Sequence, residues 1–99
     1  MLADAYFQMY EVEMIGGEVK RAKHFLERAA KGKGFYSLVS KVLLDALLNR
    51  TEPEEIKQKI MEIEGDEREK LAIYLRFLYS VNRYDVSYPK YDSKRCNDR

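Results

Sequence analysis

The 99-residue sequence holds one cysteine, Cys96, and one histidine, His24. A disulfide framework is therefore excluded, and a reducing cytoplasm is the natural setting. A metal site built from histidine and cysteine is excluded on the same ground. A histidine-dependent catalytic triad also lacks its parts, because no serine or cysteine stands at a recognisable nucleophile elbow. Long hydrophobic runs are missing too. Val42-Leu43-Leu44 is ended by Asp45, and nothing approaches the ~20 apolar residues that span a bilayer. No membrane partner is expected. The N-terminal stretch carries Asp4, Glu11 and Glu13 and no basic residue, unlike a signal peptide. Net charge is small as well, +1, so bulk electrostatics selects no class of partner.

What is present is a globular composition, 45% hydrophobic and 35% charged, which argues against a disordered chain. The length suits one domain with a modest core. The charged excess is mostly Lys, Arg and Glu, with few Asn and Gln, a usage common in thermophile proteins. The charges are unevenly spread. Residues 1–15 sum to −3, residues 18–34 to +4 and residues 51–66 to −4.

Helical periodicity covers most of the chain up to residue 83, and the expected fold is an all-α bundle of about five helices. Helix 1, at 2–15, places Leu2, Ala3, Tyr6, Phe7, Met9, Tyr10 and Met14 around more than half of its circumference, wider than a half-buried helix needs. It must be central to the core or covered by a second chain. Gly16-Gly17 ends it. Helix 2, at 18–31, repeats Val19, Ala22, Leu26 and Ala29, with charged residues including His24 opposite; His24 is expected to be solvated. Helix 3, at 35–49, carries Phe35, Leu38, Val39, Val42, Leu43, Ala46 and Leu47 and is expected to be the buried centre.

Helix 4, at 52–64, opens on Thr51 with Glu54 three residues later, the spacing of a capping box, and Pro53 sits in its first turn. Its stripe is Ile56, Ile60 and Ile63, with Glu55 and Lys59 as an i,i+4 pair and Gly65 as C-cap. Asp66 and Glu69 repeat the capping spacing and start helix 5, at 67–83. Its expected core face is Leu71, Tyr74, Leu75, Leu78 and Val81, with Phe77 and Tyr79 at the edges. The remaining tail alternates Tyr84, Val86 and Tyr88, which suits an extended segment. The helical domain is placed at 1–91, and residues 92–99 are expected to be disordered. The stripes of helices 2 and 4 lie 34 residues apart, the period of tetratricopeptide pairs. The stacking pattern of those repeats is absent, so the offset reads as two similar hairpins, helices 2–3 and 4–5.

Few motifs carry chemistry. Lys31-Gly32-Lys33-Gly34 precedes helix 3. A phosphate-binding loop would need a glycine at position 27, where Glu27 stands, a hydroxyl where Gly34 stands, and a preceding strand. The glycines read instead as a helix stop and a helix start, with lysines able to touch an anion as part of the basic surface of helix 2. That surface, Lys20, Arg21, Lys23, Arg28, Lys31 and Lys33, is the candidate site for nucleic acid, assisted by the tyrosines and bases of the tail. The acids of helices 1 and 4 could neutralise it. Paired acids, Glu11 with Glu13 and Glu54 with Glu55, raise a helical nucleotide hydrolase only as a remote third reading. No catalytic residue, cofactor or metal is implied. Tyrosine is abundant, eight in all, and suits interfaces. The favoured expectation is a non-enzymatic protein-interaction or assembly domain that forms a homodimer. Tyr6, Phe7, Tyr10, Met14, Tyr84 and Tyr88 are its candidate contacts.

Overall fold

The computed structural model describes residues 2–84, with the side chains of Arg83 and Tyr84 outside the description. Among these residues it contains five helices and no strand: α1 (Ala3–Ile15), α2 (Val19–Ala29), α3 (Phe35–Asn49), α4 (Pro53–Glu62) and α5 (Glu67–Tyr84). The expected all-α bundle and its helix positions are thus present. The tail alternation at Val86 and Tyr88, and the segment 92–99, lie outside the described residues.

The first hairpin is closed by glycine. Gly17 adopts φ 82°; its N–H donates to the Met14 carbonyl, and the Glu18 N–H donates to the Glu13 carbonyl. This paired pattern reverses the chain after a helix and favours a residue without a Cβ. Small residues then set how close the helices lie. Ala22, Leu26 and Ala29 of α2 are fully buried, as the sequence period requires.

Helix α3 is the centre, packing against α1, α2 and α4. Val39, Leu43, Ala46 and Leu47 are buried there. Leu38, expected on its apolar face, is exposed, as is Leu48, whereas Ser37 and Ser40 are buried. The helix ends with Arg50 in the left-handed conformation, φ 53° and ψ 47°.

The start of α4 differs from the capping box expected at Thr51. Its N-cap is Glu52, with φ −63° and ψ 144°, and no side-chain cap bond forms there. Pro53 explains the shift. A residue before proline is pushed out of the helical region, while proline's own φ suits the first helical position. The other end also differs. The helix stops at Glu62, and Ile63 leaves it in an extended conformation. Gly65 is therefore not its C-cap. Lys70, only 4% exposed, supplies the termination by donating from Nζ to the carbonyls of Met61 and Ile63, at 3.0 and 2.8 Å.

Helix α5 opens as expected. The Glu69 N–H donates to Asp66 Oδ2 at 2.9 Å. Its buried face is rotated from the expected one: Ile73, Tyr74, Phe77 and Val81 are buried, while Leu71, Leu75 and Tyr79 face outward. The helix has more apolar residues than one face can hold. The face chosen is the one that also brings Lys70 to the end of α4. The α2–α3 and α4–α5 pairs both pack together, in keeping with two hairpins.

Candidate protein-interaction surface

Helix α1 divides its wide apolar surface in two. Phe7, Tyr10 and Met14 turn into the core with 1 to 2% exposure. The chain's own core covers them, so these three interface candidates present little free surface to a partner. The rings of Phe7 and Tyr10 lie 5.3 Å apart, and that of Tyr36 stands at the same distance from Phe7. Tyr6 is half-buried; its ring stacks on Phe25, and the guanidinium of Arg28 lies 5.9 Å from its centroid. Tyr84 ends α5 and Tyr88 lies outside the described residues.

The outward face carries a different set. Leu2, Met9 and Val12 are 75, 38 and 64% exposed. With half-buried Ala5 they follow spacings of three, four and three residues, which align on one helix edge. Beside this edge lies a groove of about 480 Å³ between α1 and α2. Ala5, Met9, Val12 and Phe25 make its apolar walls, and Glu13 and Arg21 lie on its rim. Arg21 Nη2 is 3.6 Å from Glu13 Oε2 in this open setting, where an ion pair contributes little. The sequence shows that helix 1 is apolar on too many sides, but two apolar faces look alike until the rest of the chain covers one of them.

The acids of α1 are used structurally. Glu11 accepts a bond from Arg76 Nε at 2.8 Å, tying α1 to α5. Glu13 meets Arg21, so the two carboxylates face different helices. Glu55 pairs with Lys59 at 3.4 Å as expected, and Asp45 of α3 adds a second contact at 3.8 Å. Among the described residues no group of three or more His, Cys, Asp or Glu side chains could hold a metal ion.

The basic face of α2 is only partly neutralised. Of the six candidate bases, Arg21 alone meets a carboxylate among the described residues. Lys20, Lys23, Lys31 and Lys33 have none there, and no base of α2 meets an acid of α4. His24 is exposed, with Nδ1 3.9 Å from Glu27 Oε1.

Burial shapes two tyrosines. It pushes the Tyr10 phenol well above its ordinary range, with Glu11 adding to the rise and Arg76 opposing it. The Tyr36 phenol is also raised, first by desolvation and then by Glu69, whose carboxylate accepts its O–H at 3.2 Å. Both groups are held neutral, as suits core packing.

No described helix is long and apolar enough to cross a membrane. No protein-family model matches the chain, and neither a curated protein nor a solved structure shows significant similarity to it.

Proposed function

We propose that the chain is a non-enzymatic, cytoplasmic assembly module that pairs with a second copy of itself through the α1–α2 face. The exposed edge of Leu2, Ala5, Met9 and Val12 carries this reading. A stripe of this kind beside an apolar groove is the surface that protein association covers. The second copy is favoured by the rim. Glu13 and Arg21 offer both signs at one site, so a two-fold axis can set each against its opposite.

Magnitudes place the affinity. Leu2, Met9 and Val12 of two copies bring six partly exposed side chains into contact. Complete burial of one contributes about 1.5–3 kcal/mol, and the part already buried in the monomer lowers that to about 1–2 kcal/mol each. Association itself costs about 4–15 kcal/mol. The two sums are of similar size, so the stripe supports a weak dimer, and about 8 kcal/mol for micromolar affinity is reached only at the favourable end of both ranges. Light scattering at micromolar concentration tests it: a mass of twice 11.7 kDa is expected, and a strict monomer would remove the proposal.

A second reading, binding of nucleic acid, is favoured by Lys20, Lys23, Lys31 and Lys33, which meet no acid among the described residues. It expects an electrophoretic shift that weakens steeply with salt as counterions are released. No shift at low salt would eliminate it. The nucleotide-hydrolase reading lacks, among the described residues, the carboxylate cluster it requires.

A further inference from the structure

A second apolar surface lies on α5. Leu71, Leu75 and Tyr79 are 40, 54 and 63% exposed. Their four-residue spacing aligns them in one row along the helix. A contiguous apolar row of this kind is a surface that a further segment or partner covers. Residues 85–99 continue the chain from the C-terminal end of the same helix.

Tyr88-Pro89-Lys90-Tyr91 in that segment suits the row. Proline holds its own φ at about −65° and pushes the residue before it out of the helical region. In the polyproline geometry this favours, the chain rises about 3.1 Å per residue with about three residues per turn. Tyr88 and Tyr91, three residues apart, then share one side. The distances agree. Tyr79, Leu75 and Leu71 stand five, nine and thirteen residues before Tyr84, about 8, 14 and 20 Å back along the helix. If two residues reverse the chain, Tyr88 and Tyr91 come to about 6 and 16 Å, beside Tyr79 and between Leu75 and Leu71. The charges match as well. Glu62, Glu64, Asp66 and Glu67, around the α4–α5 turn, are exposed, and none pairs with a base among the described residues. Glu67 opens α5, about 26 Å from Tyr84. Lys94 and Arg95 reach about 25 and 28 Å in the same register.

We propose that residues 87–95 of the same chain dock along the outward face of α5, antiparallel to it. Tyr88 and Tyr91 cover the leucine row, and Lys94 and Arg95 meet the acidic turn. Tyrosine suits a half-wet site, because its ring covers leucine while its hydroxyl keeps water. Pro89 removes a donor that no neighbouring strand would use. The α5 face is then covered within one chain, whereas Leu2, Met9 and Val12 stay exposed for a partner. The docked segment forms in a monomer and in a dimer alike, so it does not depend on self-association.

The single cysteine, Cys96, supplies the test. A nitroxide attached to it in the full chain broadens the amide NMR signals of residues nearby. In the proposed register Cys96 comes to about 31 Å from Tyr84, past the start of α5. Broadening is expected around residues 62–68, at the opposite end of α5 from the point where the segment is attached. Tyr88→Ser combined with Tyr91→Ser, outside the described helices, is expected to abolish it. Leu75→Glu, at an exposed position, is expected to do the same. A mixture of isotope-labelled chain without nitroxide and spin-labelled chain without isotope is expected to show none at 62–68. Broadening confined to the last turn of α5, or centred on the α1–α2 groove, would overturn the proposal. So would broadening that survives either substitution. Broadening at 62–68 that is as strong in the mixed sample would overturn it too, by assigning the face to a second copy.

Discussion

Lys70 Nζ stands 2.8 Å from the carbonyl oxygen of Ile63, inside the fold and just past the end of α4. A buried ammonium here completes a helix that stops without a glycine cap. Replacing Lys70 with Met keeps the stem and removes the donor, leaving the Met61 and Ile63 carbonyls without it. Lys70→Met is expected to cost about 2 kcal/mol, which lowers the unfolding midpoint by about 10 °C. Thermal unfolding followed by circular dichroism checks it; an unchanged midpoint would show that these bonds add nothing.

Gly65 and Phe35 are similarly matched. Gly65 has φ 158°, and a Cβ there would come within 2.8 Å of two carbons of the Phe35 ring. Gly65→Ala is expected to destabilise the fold by about 1–3 kcal/mol through overpacking. In the Phe35→Leu background the same substitution should cost clearly less. A double-mutant cycle in urea measures the difference, and additive effects would argue that the ring is not the obstacle.

Arg50 closes α3 in the left-handed conformation, at φ 53°, which strains a residue that carries a Cβ. Arg50→Gly is expected to raise stability by up to about 1 kcal/mol. Glycine's greater freedom when unfolded reduces the gain. Urea denaturation reads it as a higher midpoint at unchanged slope.

The two perturbed tyrosines give the fold an alkaline limit. Tyr10 and Tyr36 have folded-state pKa values raised above the ordinary phenol value. Their contribution is complete below about pH 10, the unfolded value. It falls as pH climbs from there toward the folded values, because the unfolded chain releases the protons first. Stability is expected to drop above about pH 10, more shallowly in Tyr10→Phe than in the parent. Urea midpoints across that range test it; identical slopes in the two proteins would remove Tyr10 from the account.

These residues also mark what the sequence could reveal. Helices were legible because their apolar periods are strong, as at Ala22, Leu26 and Ala29. So was the start of α5, since Asp66 and Glu69 carry a local signal. The start of α4 lies one residue beyond the one its threonine signals, because two local rules compete there and the residue before Pro53 becomes the N-cap. The buried face of α5 was legible only in part, at Tyr74 and Val81. Leu71 and Leu75 are as apolar as Ile73 and Phe77, and only the packing of the whole chain decides which pair turns inward. For the same reason Phe7, Tyr10 and Met14 could not be separated from Met9 and Val12. Lys70 and Ser37 are not marked in the sequence, because nothing adjacent to them signals a polar residue that a loop or helix end will cover.

Self-association depends on which of two outward apolar faces meets a partner. Sedimentation equilibrium of the parent, Val12→Glu and Leu75→Glu decides it, since both substitutions are at exposed positions. The expected result is a dimer for the parent and for Leu75→Glu at tens of micromolar, and 11.7 kDa at every concentration for Val12→Glu. A monomeric parent, or a dimer that survives Val12→Glu, would contradict pairing through the α1–α2 face.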